Sequence, residues 1–129
     1  MPLPSDQPAR LYHLALRDEW REAQDGGDYR RSTLGRSLDD VGFIHCSFAA
    51  QVQTIADLVY RGRDDVVLLE IGPGRVPADI RVEQAEDVEG APAFPHIYGP
   101  LPLDAVVRAV AVPVDATGRL DVEALLAGG

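Results

Sequence analysis

The chain has 129 residues, of which 46% are hydrophobic, and it carries a formal net charge of -9 at pH 7. All 12 basic residues are arginine, and this acidic balance argues against nonspecific nucleic-acid binding, which requires a basic surface. No apolar run approaches the ~20 residues of a membrane-spanning helix. Because the start lacks a secretion signal and a single cysteine allows no internal disulfide, we expect a cytoplasmic protein.

Hydrophobic periodicity and turn residues predict alternating strands and short helices. The chain is predicted to begin with a loose lead-in over 1–9, which is followed by a strand over 10–16, a helix over 19–24 and a polar loop with a turn or short helix over 28–41. A strand over 42–48 and a helix over 49–61 are predicted next, and then strands over 64–71 and 78–87. The last part is predicted to contain a loose segment over 88–103, a strand over 104–114 and a short terminal helix. Asp18 is placed to cap the first helix.

These elements predict an α+β fold with mostly antiparallel small sheets and a few short helices. Helices are few, and most connections are too short for the crossovers that parallel strands require. The length suits one compact domain, so we expect residues 1–129 to form a single unit.

The stretch "FIHCSF" (43–48) places a histidine, a thiol and a hydroxyl at consecutive positions between apolar residues. If it forms a strand, alternation turns Phe43, His45 and Ser47 to one face and Cys46 to the other. Cys46 is then expected to behave as a small core residue and not as a nucleophile. Ser47 precedes a helix, which predicts that it is either the N-cap or a ligand contact at the helix start.

Three histidines lie far apart in sequence: His13 and His45 on predicted strands, and His96 in "FPHIYG", which reads as a loop that also carries Tyr98. Each histidine on its own suits a structural, hydrogen-bonded role, but together they suit a pocket. A three-histidine zinc site lacks any close ligand pair, and a Ser-His-Asp hydrolase lacks the Gly-x-Ser-x-Gly elbow.

Two carboxylates interrupt apolar strand patterns, namely Glu70 in "VVLLEI" and Glu83 in "IRVE". Such a carboxylate lies on a solvated face or is placed to hydrogen-bond another group. The pattern favours the solvated face for both.

Several of these motifs together resemble one family. The segments "LYHLAL", "GFIHCSFAAQV", "VVLLEI", "VEQAE" and "FPHIYGPLPLDAVV", between about residues 10 and 112, are similar to the domain of unknown function 952 (DUF952) family of small bacterial proteins. The resemblance implies a distant relationship to the ADP-ribosyltransferase fold, in which two small antiparallel sheets enclose an NAD cleft.

The resemblance also implies roles for residues. Tyr12 and His13 match the place of the first-strand histidine that holds a ribose of NAD, and "FIHCS" with Ser47 matches the strand that leads into a helix. The third motif of that fold is a glutamate, but "FPHIYG" contains none. Glu83 is the nearest carboxylate, and His96 and Tyr98 are candidate replacements for it.

We therefore expect a cleft that binds NAD, as substrate, or a related ribose-phosphate compound, with ADP-ribosyl or related transfer as the candidate reaction. No metal or resident cofactor is implied. The expected catalytic residues are His45, His96 and Glu83, and the expected ligand-binding residues are His13, Tyr12, Ser47 and Tyr98. The alternative is a noncatalytic binding or regulatory module with structural histidines, in which the three histidines do not converge on one pocket.

Overall fold

This computed structural model describes residues 10–32, 36–84 and 92–127. The predicted lead-in, and the last three residues of the predicted strand over 78–87, lie outside them. The strands are β1 (Leu11–Leu16), β2 (Asp28–Tyr29), β3 (Ile44–His45), β4 (Val66–Ile71), β5 (Ile80–Glu83), β6 (Phe94–Ile97), β7 (Leu101–Pro102) and β8 (Val106–Ala111). The helices are α1 (Arg17–Gly26), α2 (Leu38–Val41), α3 (Ala49–Ile55) and α4 (Val122–Ala127), and residues Ala56–Tyr60 continue α3 as a π-helix.

The strands form three antiparallel sheets. The first has the order β1-β4-β8, the second has the order β3-β6-β5, and β2 pairs with β7. The prediction of an α+β fold with small antiparallel sheets and few helices is therefore confirmed. Among the described residues, no helix has the length and apolar character needed to cross a membrane.

Strands β1 and β4 of the first sheet are buried on both faces, whereas alternate residues of its edge strand β8 are exposed. On one face the sheet packs against the second sheet through Leu11, Leu69, Ile71, Ile44 and Ile97. On the other face it packs against α3, the π-helix and α4 through Leu14, Leu68, Val52, Ala56 and Val122. The second sheet thus has one face on the core, which leaves its other face for a site.

Helix α1 begins two residues earlier than the sequence predicts. Its first residue is Arg17, its N-cap is Leu16, and no side chain caps it, so the prediction that Asp18 is the cap is wrong. Strand β1 runs directly into the helix, and the Arg17 N–H instead donates to the carbonyl of Asp65 at 2.8 Å. The helix ends at Gly27, whose positive φ of 98° allows the left-handed C-cap.

The polar segment over 28–41 contains the short helix α2, which was one of the two predicted alternatives, and also the short strand β2, which was not predicted. The short helix α2 is fixed by a capping box between Ser37 and Asp40. The Asp40 N–H donates to Ser37 Oγ at 3.2 Å, and the Ser37 N–H donates to Asp40 Oδ2 at 3.1 Å.

Ser47 is not the N-cap of the following helix, and the predicted strand over 42–48 is shorter than expected. The backbone N–H and carbonyl of Ser47 both pair with Tyr12 at 2.8 Å, which commits this residue to a bridge with β1. The cap is Phe48, whose N–H donates to Gln51 Oε1 at 3.0 Å. Gln51 Nε2 in turn donates to the carbonyl of Ala93 at 2.7 Å and joins the helix start to the β6 segment.

The segment "FPHIYG" contains a strand, so its prediction as a loop is wrong. It forms β6, the central strand of the second sheet. Pro95 suggested a loop because it has no N–H to donate to a ladder. Its carbonyl nevertheless accepts from the Cys46 N–H at 3.0 Å, and its ring is fully buried. The apolar ring lies on the core face of the sheet, where its burial is favourable.

Candidate functional site

The outer face of the second sheet collects the polar and aromatic side chains of three strands. Cross-strand pairs place His45 opposite His96, Arg81 opposite His96, and Glu83 opposite Phe94. Because side chains alternate along a strand, these five residues share one face, while the apolar residues between them face the core.

This face borders a cleft of about 350 Å³. Its lining includes Arg36, Phe43, His45, Glu83, Phe94 and His96. Ligand pockets typically range from ~300 to 1,000 Å³ and combine apolar walls with a few polar groups, and this cleft has that character.

Glu83 holds two side chains through one carboxylate oxygen. His96 Nδ1 lies 2.8 Å from Glu83 Oε1, and the Tyr98 hydroxyl donates to the same oxygen. These hydrogen bonds, first from Tyr98 and then from His96, hold the pKa of Glu83 below its ordinary value. Because a carboxylate only accepts, Nδ1 carries the proton of the imidazole, and in the neutral ring Nε2 is then a proton acceptor.

Aromatic rings form a continuous row across the cleft. Phe43 stacks on His96 with centroids 4.0 Å apart and planes within 17°. His45 lies 5.4 Å from His96 and 5.0 Å from Phe94, and Phe43 lies 5.4 Å from the Tyr98 ring. Such a row presents flat, partly apolar surface on which a planar ring can stack.

His45 contributes a neutral imidazole to the cleft. Burial, and after it the neighbouring His96, lowers the pKa of His45 to about 4, so the ring is uncharged at neutral pH. Its ring makes no hydrogen bond to any residue within the described ranges. A half-buried neutral imidazole of this kind can accept a proton from a bound molecule.

His13 lies in the core and not in the cleft, with 3% of its surface exposed. Its Nδ1 lies 2.7 Å from the carbonyl of His45, and its Nε2 lies 2.8 Å from the Tyr29 hydroxyl. Because the carbonyl only accepts, Nδ1 donates to it, and Nε2 accepts from Tyr29. Burial lowers the pKa of His13 to about 4, so the ring is neutral.

Two further residues expected to bind the ligand accompany His13. Tyr12 and Ser47 line, with His13, a cavity of only about 10 Å³. One water molecule needs roughly 10–15 Å³, so this cavity is too small for a ligand. The structure therefore brings together His45, His96, Glu83 and Tyr98, and it places His13, Tyr12 and Ser47 behind them.

The two carboxylates singled out from the sequence have different surroundings. Glu70 is within 3.7 Å of Arg10 and 3.5 Å of Arg108 on the first sheet, away from the cleft. Glu83 does not simply face solvent, as the pattern favoured, because it binds His96 and Tyr98.

Within the described ranges no three His, Cys, Asp or Glu side chains converge as metal ligands, so the three-histidine zinc arrangement is not formed there.

Sequence reasoning assigned no site role to five residues that line the cleft, namely Ser32, Arg36, Val41, Phe43 and Phe94. Phe43 shares the strand face of His45, and Phe94 lies two residues before His96, so alternation was an available signal for both. Arg36 lies in the polar segment before α2, and no sequence pattern placed it near the second sheet.

Cys46 is expected to be unreactive in the folded protein. It is 1% exposed, it packs in the core beside Ile44, and burial raises the pKa of its thiol. We expect negligible labelling by a thiol reagent such as DTNB at neutral pH, and complete labelling in denaturant. Labelling of the native protein as fast as that of free cysteine would contradict the core position.

The comparisons with known proteins agree with this fold. A family model described as a protein of unknown function (DUF952) matches residues 14–109. The chain is similar to the crystal structure of protein CC0527 from Caulobacter crescentus, with 30% identity and a TM-score of 0.79 over 92% of this chain and 98% of that chain. The solution NMR structure of CC0527 matches with 30% identity and a TM-score of 0.76 over 93% and 98% of the two chains. No curated protein gives a significant match. The chain therefore belongs to the DUF952 family of proteins of unknown function.

Proposed function

We propose that the cleft on the second sheet binds NAD or a related ribose-phosphate compound and catalyses transfer at the ribose carbon. The observation that carries this proposal is the carboxylate of Glu83, which lines the cleft and orients His96 and Tyr98. A proton acceptor and an ionised carboxylate thus lie next to aromatic walls in one concave site.

The cleft suits one ring and one ribose better than a whole dinucleotide. Its volume of about 350 Å³ is near the lower end of the range for ligand pockets. Phe43 and Phe94 offer apolar surface for a planar ring. Arg36 is exposed at the cleft and carries a permanent positive charge that suits a phosphate.

The candidate reaction is cleavage of the bond between nicotinamide and ribose. That cleavage passes through a positively charged, oxocarbenium-like state, which a nearby carboxylate stabilises. Hydrogen bonds lower the pKa of Glu83, so it is ionised at neutral pH. Only its Oε1 binds other described residues, which leaves Oε2 for a ribose hydroxyl. His96 Nε2 and the neutral His45 ring are the proton acceptors for the attacking group.

A noncatalytic binding module is the second candidate. It is favoured by His13, which is hydrogen-bonded through both ring nitrogens in the core, as a structural histidine would be. In that case the cleft binds its ligand without releasing nicotinamide. Chromatography of NAD incubated with the protein distinguishes the two candidates, because only the first produces free nicotinamide.

Binding is tested by calorimetry with NAD, ADP-ribose and RNA ends that carry a 2′-phosphate. We expect at least one of these ligands to bind. Arg36→Ala is expected to weaken that binding by roughly 10-fold, because it removes the cation that faces the phosphate.

Arg30→Ala is the matched control, since Arg30 is also an exposed arginine but pairs with Asp28 at 3.1 Å outside the cleft. Its affinity is expected to stay within about twofold of the native value. If none of the three ligands produces heat of binding, this ligand class is excluded. If both variants weaken binding equally, the cleft is not the site.

A further inference from the structure

One imidazole joins the three sheets of the fold. His13 lies on β1 of the first sheet, Tyr29 lies on β2, and His45 lies on β3 of the second sheet. The His13 ring contacts the other two through its two nitrogens at 2.8 and 2.7 Å. A polar group this deeply buried requires such partners, and here they come from two different sheets.

The backbone of His45 is held from outside its own sheet. Strand β3 is an edge strand, since its sheet has the order β3-β6-β5. The His45 N–H donates to Ser32 Oγ at 3.1 Å, and the His45 carbonyl accepts from His13. Backbone groups of an edge strand that point away from the ladder need other partners, and two side chains provide them here.

The short length of β3 makes these lateral hydrogen bonds important. The strand has only two residues, Ile44 and His45. The ladder to β6 is therefore a weak constraint on where the His45 ring lies. The next backbone bond to β6 is the one from the Cys46 N–H to the Pro95 carbonyl.

We propose that His13 is a positioning residue, whose Nδ1–H fixes the carbonyl of His45 and thereby sets the His45 ring against His96 in the cleft. This inference rests on the proposed role of His45 as a proton acceptor in the cleft. It gives His13 an indirect role, through the backbone of another residue, in place of the ribose contact that the sequence suggested.

The two ring nitrogens of His13 have different hydrogen-bonding roles, one as donor and one as acceptor. The His45 carbonyl can only accept, so the proton of the neutral ring is on Nδ1, and the Tyr29 hydroxyl donates to Nε2. A second proton on Nε2 would face the Tyr29 hydroxyl, which would then have to reverse its role. The His45 carbonyl thus fixes the tautomer of His13.

Asparagine and glutamine at position 13 separate the two contacts. The amide of asparagine lies near the position of Nδ1 and can still donate to His45, whereas the amide of glutamine reaches the position of Nε2 and can contact only Tyr29. Both variants keep a buried amide. They therefore have similar structural costs but different effects on His45.

The measurement is the pH titration of the His45 ring proton on Cε1 by NMR, in the protein without ligand. The native midpoint is expected near 4, and His13→Asn is expected to retain it. In His13→Gln the freed His45 ring becomes more exposed, and its midpoint is expected to rise by at least about one pH unit towards 6.5.

Equal His45 midpoints in the asparagine and glutamine variants would overturn the positioning role. If His13→Gln does not fold, His13→Met decides, because methionine fills the buried volume flexibly but cannot donate to the His45 carbonyl. A His45 midpoint raised by at least about one pH unit in His13→Met then supports the link, and a midpoint equal to that of His13→Asn overturns it.

The two proposals fail separately. The titration needs no ligand, so the absence of NAD binding would remove the proposed function and leave the positioning result intact. Conversely, ligand binding with a His45 midpoint that does not depend on residue 13 would retain the function and remove the positioning role.

Discussion

Lowering the pH from about 7.5 to about 4 is expected to destabilise the folded protein by about 6 kcal/mol through His13 and His45. Burial, with a further contribution from neighbouring histidines, lowers both pKa values from 6.5 to about 4. The unfolded chain then binds more protons than the folded chain in this interval. The stability is fully present above pH 6.5 and is lost as the pH falls towards 4. Each histidine contributes about 3 kcal/mol, which is a large part of a typical free energy of unfolding.

Urea unfolding followed by circular dichroism at several pH values between about 7.5 and 5 measures this effect. Most carboxylates stay ionised in that window, so the slope of the free energy of unfolding against pH measures the titration of the histidines. His13→Asn replaces one of the two groups with a nontitrating amide and is expected to show about half the native slope. A free energy of unfolding that stays constant from pH 6.5 to 5 would show that neither histidine is buried in its neutral form.

Glu83→Gln is expected to lower the rate of nicotinamide release from NAD by roughly 10²–10⁴-fold. Glutamine has nearly the same shape as glutamate but no charge, so it cannot stabilise a positive charge on the ribose. It also weakens the hydrogen bonds that orient His96 and Tyr98. Affinity for NAD is expected to change by less than about threefold, because the cleft keeps its shape and its aromatic walls.

Glu70→Gln is the matched control. Glu70 is also a strand carboxylate with charged partners, Arg10 and Arg108, but it lies on the first sheet outside the cleft. Its turnover is expected to remain within about twofold of the native rate. Equal turnover in native protein and Glu83→Gln would remove Glu83 from the reaction, and an equal loss in both variants would indicate a general effect of the lost charge.

Part of the candidate site could be predicted from the sequence, because the alternation of side chains along a strand depends only on neighbouring residues. This alternation predicted correctly that Cys46 faces the core and that His45 faces away from it. The partner of Glu83 was not accessible, because His96 is 13 residues away and belongs to a segment that looked like a loop. Pro95 made this segment resemble a loop. The segment is strand β6, which places His96 and Phe94 on the same sheet face as Glu83.

The different positions of the three histidines were also not predictable from local sequence patterns. The sequence places His13 and His45 on predicted strands and His96 in a predicted loop, and all three were expected to line one cleft. The packing of the sheets gives them different surroundings. His13 lies in the core and binds Tyr29 and the backbone of His45. His45 and His96 lie in the cleft, with their rings 5.4 Å apart.

By itself, the sequence determined the α+β class, the existence of strands β1 and β4, the core position of Cys46 and the resemblance to DUF952 proteins. These follow from hydrophobic periodicity and motif spacing, which act over a few neighbouring residues. The tertiary structure decided which polar groups meet. Hydrogen bonds such as that of Glu83 to His96, or of His13 to His45, join residues from different strands, and their existence depends on the register of strands that periodicity alone does not fix.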